Sequence, residues 1–346
     1  MKNGCFFISG EDIFPDIIHI NQVMSVLILG FLLFLGGMRL MSHGLSELWG
    51  SAFSAALNRL TGNRFSAFLC GLLFTSLTQS SSLATVLVVG AADAGLLSLP
   101  AAIAVIIGAN VGTTVTGQLL SFQIQDYALL ILGTGLLFMF PGGRRKRNAG
   151  RSLAGLGILL YGLKLMAAAL TPLTAKTWFL TLLQESAAHP VLGVAAGAVL
   201  AAVIQSSSAV MGVVLSLAQD SVISLSAGAA VMIGADVGTC LTALLAAMGG
   251  RVPAKRAAFA HLLFNLCSTA IVLPVFPYFI KAAAATSTAL PRSLANAHTL
   301  YNLTGAAVIL FLLSPFQTLV VKLVRADSIE KKRISCILSE VIRKWF

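Results

Sequence analysis

Gln79-Ser80-Ser81-Ser82 and Gln205-Ser206-Ser207-Ser208 each set four consecutive polar residues in the middle of a long apolar run, 65–92 and 190–219. At bilayer depth such a cluster is costly unless it faces protein, water or a ligand. If each run is a hairpin that turns back at its cluster, a second half-helix begins near the midplane at Ser80–Ser82 in one copy and at Ser206–Ser208 in the other. A helix start leaves amide N–H groups unpaired and carries about half a positive charge. Two such starts converging on one spot offer amide donors and the hydroxyls of Ser80, Ser81, Ser82, Ser206, Ser207 and Ser208. That is an anion site made without Arg or Lys, and phosphate, with four acceptor oxygens, suits it.

A dianion entering a low-dielectric core carries a solvation cost that neutral dipoles do not cover, so cations are expected with it. Sodium prefers oxygen ligands, and the sequence supplies them nearby at Gln79, Gln205, Asn110, Thr113, Thr114, Asp236 and Thr239. Gly108, Gly112, Gly234 and Gly238 would let the backbone leave the helix and expose carbonyls. Against these readings stand plainer ones. Serines and glycines also serve close helix packing, and Asp236 could form a structural ion pair with Lys164 or Arg39. A further duplication, His261-Leu-Leu-Phe-Asn265 and His298-Thr-Leu-Tyr-Asn302, puts His and Asn on one helix face and reads as interhelical packing rather than as a metal site.

The elements that must hold these groups follow from composition. Of 346 residues, 57% are hydrophobic and 10% charged, far below the roughly 25% charged residues of a soluble domain. Apolar runs fall near 24–42, 65–92, 98–121, 126–142, 152–170, 190–219, 223–248, 257–280 and 296–324. They are continuous and rich in Leu, Ala and Gly, which favours spanning helices over a barrel. An internal repeat is plain: Gln79 matches Gln205, Gly108 matches Gly234, Asn110 matches Asp236 and Thr113 matches Thr239, all in one register. Gly37-Met-Arg-Leu-Met41 matches Gly162-Leu-Lys-Leu-Met166 with a one-residue slip. The predicted fold is an all-α polytopic membrane protein of two inverted-topology repeats, each with a re-entrant hairpin, plus further transmembrane helices.

Charge gives the orientation. Arg59 and Arg64, then Arg144 to Arg151, then Arg251, Lys255 and Arg256, and the tail from Lys331 to Lys344 mark cytoplasmic segments. With both broken runs re-entrant, seven crossings remain and every basic loop falls inside. The expected layout is an extracellular segment 1–23, a membrane domain 24–325 (repeat 1 about 26–121, repeat 2 about 152–248, C-terminal helices about 257–324) and a basic cytoplasmic tail 326–346, in the plasma (inner) membrane. Segments 43–60 and 171–186, with Trp49 and Trp178, are expected along the interface. The first 22 residues lack the features of a cleaved signal. The net charge of +11 is clustered between apolar runs and does not point to nucleic acid. Cys5, Cys70, Cys240, Cys267 and Cys336 have no zinc or redox spacing.

The paired Gln-Ser-Ser-Ser and Gly-Ala-Asn/Asp-Val-Gly-Thr motifs resemble the type II sodium-dependent phosphate cotransporter family, bacterial branch, over about residues 25–325. The resemblance implies sodium-coupled uptake of phosphate, with substrate and sodium held around Gln79–Ser82 and Gln205–Ser208, and no cofactor beyond sodium. Many bacterial members carry a PhoU-like domain after the membrane bundle, which is expected to be lacking here. The chain departs from its own first copy at Asp236 and Cys240, where Asn110 and Thr114 stand, a change expected to bear on the coupled ions. Oligomeric state is left open, with a homodimer as one arrangement.

Other classes fit less well. No phosphate loop of the GxxxxGK[ST] type is present. An intramembrane serine hydrolase would need a base near Ser80 or Ser206; no GxSxG occurs, and no SxxK includes either serine. Proton coupling through Asp236, another oxyanion such as sulfate or arsenate, and a simple channel are the remaining alternatives.

Overall fold

The computed structural model describes residues 14–60, 62–122, 124–140, 143–170, 189–219 and 221–325. The expectations for 1–13, for 171–186 with Trp178 and for the tail 326–346 lie outside these residues. Among the described residues there is no strand. The first repeat comprises α1 (Phe14–Leu60), α2 (Arg64–Thr78), α3 (Ser81–Asp93) and α4 (Leu99–Leu120). A linker helix α5 (Ala128–Met139) leads to the second repeat, α6 (Arg144–Leu170), α7 (Pro190–Ile204), α8 (Ser207–Gln219) and α9 (Leu225–Ala246). Three stretches follow: α10 (Val252–Val272), α11 (Phe276–Ala284), and α12 (Leu290–Phe311) with α13 (Leu313–Leu323). Each bound of α7, α8 and α9 lies 126 residues after that of α2, α3 and α4, from Arg64 to Pro190 and from Leu120 to Ala246.

Local chemistry sets these bounds. Asn63 and Ser224 cap α2 and α9 by accepting from the amides of Phe65 and Ala227. Pro100, Pro190, Pro253 and Pro291 open α4, α7, α10 and α12, where a missing N–H costs nothing. Gln79 and Gln205 end α2 and α7 in the left-handed region, at φ 57° and 58°. An αL residue is a common helix stop, although glycine usually occupies it.

The direction of packing shows that both broken runs fold back. Gly108 and Gly112 of α4 take the carbonyls of Phe68 and Leu72 of α2, so the two helices run parallel. Gly234 and Gly238 of α9 take Val194 and Ala198 of α7 in the same sense. A straight α2–α3 would bring α4 back antiparallel to α2; the parallel pairing requires α3 to reverse. The hairpin ends agree, because they lie on one flank. Arg64, at the start of α2, donates to the Leu310 carbonyl at 3.2 Å, and Asp93, at the end of α3, accepts from the Arg251 amide at 2.7 Å. Arg256 on that same end of α10 donates to Val324, just past α12 and α13. With 15 and 13 residues, α2 and α3 reach only about 20 Å each, less than the ~30 Å hydrocarbon core.

Inversion is equally direct. Gly30 packs on Gly162, Gly37 on Gly155 and Leu159, and Gly44 on Asn148 and Ser152, so α1 and α6 are antiparallel. These are the first helices of the two repeats. Glycines every seventh residue keep the α1 backbone against α6 over two heptads. The helix α5 packs antiparallel on α6 through Gly135, Gly150 and Gly157.

Four expectations change. Residues 43–60 are not a separate interfacial helix; they continue α1, which is 47 residues long, and Phe53 stacks on Phe74 of α2 at 3.6 Å. The run 296–324 is not one straight helix, because α12 and α13 meet at 87°, with Leu313, Phe316 and Val320 turned inward along α13. The glycines of the second motif do not break their helices: α4 and α9 are continuous, and the missing side chains let neighbouring carbonyls approach instead. Finally, among the described residues four helices are long and apolar enough on their own to cross a membrane, five if the bent pair is one span, against seven crossings expected. Helix α5 is only 12 residues and α6 opens on Arg144-Arg145-Lys146-Arg147. The antiparallel α1–α6 pair nonetheless requires α5 to cross.

A side chain at Gly108 would strike the Phe68 carbonyl, whereas Gly90 has open space around it. Gly108→Val is expected to destabilise the detergent-solubilised protein by at least about 1–3 kcal/mol through overpacking. Gly90→Ala should leave it unchanged or raise its stability by up to about 1 kcal/mol. Melting temperatures of the two variants check the pair.

Candidate functional site

The hairpins bring their tips together. Gln79–Ser82 and Gln205–Ser208 all line one cavity of about 250 Å³. Each tip is built the same way. The αL glutamine ends the first half-helix, and the next serine caps the second: Ser80 Oγ accepts from the Leu83 amide at 3.3 Å, and Ser206 Oγ from the Ala209 amide at 3.2 Å. The caps orient the two hydroxyls while leaving their protons to donate. Both half-helix N-termini therefore face the cavity with their positive dipole ends.

The cavity has a third wall. Leu35, Met38, Arg39 and Ser42 of α1 complete it, one stripe at helical spacing. The expected site has no Arg or Lys, whereas this cavity has Arg39 in its wall. Among the described residues, no carboxylate lines the cavity. Arg39 also does not pair with Asp236, and neither does Lys164, which bonds Asp126 at 2.8 Å.

The candidate sodium ligands divide. Gln79, Gln205 and Thr239 line the cavity; Asn110, Thr113, Thr114 and Asp236 do not. Gln79 is 7% exposed, its amide nitrogen donates to the Ser76 carbonyl, and its Oε1 has no hydrogen-bond partner. Gln205, by contrast, is exposed. Thr113, Thr114 and Thr239 turn their hydroxyls back to the carbonyls of Ala109, Val111 and Ala235. Among the described residues, no three His, Cys, Asp or Glu side chains gather as a metal site.

What sequence reasoning missed is that two of its duplications are partners. Asn110 Oδ1 lies 3.2 Å from His261 Nε2, and Asp236 Oδ2 lies 2.8 Å from His298 Nε2. Asn302 donates to the same Asp236 oxygen at 2.8 Å, while Asn265 donates to Cys240 Sγ at 3.2 Å. Helix α10 thereby bonds α4 through His261 and α9 through Asn265. Helix α12 likewise reaches both, through Gln118 to Asn296 and Thr299 on one side and His298 and Asn302 to Asp236 on the other. The signal was present: two buried polar pairs on apolar helices need partners, and two polar residues, Asn110 and Asp236, stood at matching places to receive them.

A polytopic helical membrane protein with inverted repeats, and with a polar cavity where two helical breaks converge, has the architecture of a transporter. The Na+/Pi-cotransporter profile matches this sequence twice, at residues 33–168 and 159–290, once over each repeat. The chain belongs to that family, whose business is phosphate transport. It is 33% identical over 298 residues to the uncharacterised protein YqeW of Bacillus subtilis, covering 85% of this chain and 96% of that one. It is 28% identical over 282 residues to YjbB of Escherichia coli, a protein named as a candidate inorganic phosphate exporter. That match covers 81% of this chain and 52% of YjbB, about half its length. A shorter stretch of 66 residues is 39% identical to the sodium-dependent phosphate transport protein 2A of Oryctolagus cuniculus, 19% of this chain and 10% of that one. No solved structure matches.

Asp236 is 4% exposed and holds two buried donors. Removing one partner of such a group leaves the others unpaired, so Asp236→Ala should cost about 3–5 kcal/mol. Asp236→Asn, which copies the Asn110–His261 arrangement, should cost clearly less. Thermal unfolding of both in detergent gives the comparison.

Proposed function

We propose that this protein is a sodium-coupled phosphate transporter working by alternating access, with the anion held between the two serine clusters. The observation that carries the reading is the single cavity lined by all of Gln79–Ser82 and Gln205–Ser208. The donors there match an oxyanion: serine hydroxyls from both repeats, and amide groups at two helix starts that converge from opposite directions. A phosphate dianion needs more positive charge than two helix ends supply, and sodium answers that need. The unpartnered Oε1 of Gln79 is the first ligand we assign to it, with Gln205 and Thr239 beside the same cavity. Asn110, Thr113, Thr114 and Asp236 act one layer out in this reading, through the helices that carry the tips.

The domain layout goes with it: a membrane domain of about 24–325 in the plasma membrane, N-terminus outside and C-terminus cytoplasmic, with the flank holding Arg64, Arg144, Arg251 and Arg256 inside. Coupling sets the direction. An inward sodium gradient drives uptake, and reversing the gradients drives efflux, so the exporter named among the relatives fits the same cycle.

Purified protein in proteoliposomes should take up radiolabelled phosphate when sodium is outside and not when potassium replaces it; sodium-indifferent uptake sinks the coupling. A hydrogen bond to a charged group contributes about 1.5–3 kcal/mol. Ser81→Ala and Ser207→Ala should therefore each raise the phosphate KM about tenfold or more. An effect confined to one copy would mean that the clusters do not share one anion. Gln79→Leu should instead raise the sodium concentration needed for half-maximal uptake.

A further inference from the structure

Arg39 is the full charge in the cavity wall, and it has no hydrogen-bond or ion-pair partner among the described residues. An unpaired guanidinium within a membrane span is retained only where it faces water, a partner or a ligand. The charged groups that could answer it are paired elsewhere. Its counterpart in the second repeat, Lys164, sits at the matching place on α6 and is bound to Asp126. The acidic residue nearest along α1, Glu47, is bound to Arg144 at 2.6 Å. Asp236, the buried acid of the bundle, is taken up by His298 and Asn302. The groups that face the cavity beside Arg39 are serine hydroxyls, glutamine amides and two helix N-termini, all of them donors or neutral.

We propose that Arg39 is the charged contact of the transported anion, offering forked N–H donors to an oxyanion seated between Ser80–Ser82 and Ser206–Ser208. This rests on the phosphate reading of the cavity and adds to it the element that dipoles lack. A planar guanidinium matches two oxygens of a tetrahedral oxyanion at once, which an ammonium does not. Ser42, one turn further along α1 and on the same wall, continues the donor set from that side. The site is then lopsided: this cationic wall comes from the first repeat alone, since the second keeps its lysine in an ion pair outside the cavity.

The test uses the full chain in detergent with sodium present, titrated with inorganic phosphate and read as the phosphate-dependent rise in melting temperature at two pH values. One lies where phosphate is mostly the monoanion, the other where it is mostly the dianion. Arg39→Gln should weaken phosphate binding about tenfold or more, the loss of one charge-assisted contact, and the loss should be greater for the dianion. Arg39→Lys should fall between Arg39→Gln and the unaltered protein. No phosphate-dependent rise in the unaltered protein overturns the phosphate reading and this inference together. A normal rise there with an equal rise in Arg39→Gln at both pH values overturns this inference alone. If Arg39→Gln does not melt cooperatively, Arg39→Lys decides: weakened phosphate binding supports the forked contact, and unchanged binding overturns it.

Discussion

A helix broken in the middle of a bilayer leaves backbone groups that no solvent can satisfy, and the fold is arranged around that constraint. The left-handed Gln79 and Gln205 close off the first half-helices, and Ser80 and Ser206 cap the second ones. The amides that remain open face a cavity rather than lipid. Because each half-helix is too short to span on its own, each needs a full-length helix to lean on, and the glycines of α4 and α9 provide it by admitting the α2 and α7 backbones at close range. The glycine motif and the serine motif are thus two halves of one device: one holds the hairpin in place, the other supplies its donors.

The repeat, the hairpins and the serine clusters were legible in the sequence because each is a local pattern copied twice. The role of Gly108 and Gly234 was misread because a glycine that breaks a helix and one that lets a neighbour approach look alike without the neighbour. Arg39 was missed for the opposite reason. Its type was plain, but only the packing of α1 beside both tips shows which cavity it faces. Asp236 was singled out as an ion ligand or ion-pair partner, yet its partners His298 and Asn302 lie far along the chain, in a duplication that has its own, shorter spacing. The 87° bend before α13 had a signal that was passed over: Pro315, in the first turn of α13, has no N–H for the Phe311 carbonyl and its ring crowds that carbonyl, so one helix cannot run through.

The two copies are alike in sequence bounds and unlike in surroundings. Gln79 is covered and Gln205 is exposed; α1 faces the cavity, and α6 does not contribute to its lining. Identical elements in unequal environments are what an inverted repeat provides when one side of a membrane is open and the other shut. In the alternating-access cycle proposed above, this inequality would come from packing rather than from the motifs themselves.

The cross-bonds of α10 and α12 carry a mechanical consequence. They fasten α4 to α9, and through the glycine contacts they fasten both hairpins, into one stiff block. Between this block and the α1–α6 pair, the surface at α8 is of another kind: Phe34 lies on Gly212, with Met211 buried nearby and Ser216 reaching the Leu163 carbonyl at a long 3.4 Å. In the proposed cycle, a seam of methyl and ring surfaces with one long hydrogen bond would forfeit little directional bonding on sliding, while the bonded block would resist shear. A displacement between the two would move both tips as a unit, with their spacing preserved as a rigid gauge of the anion they enclose.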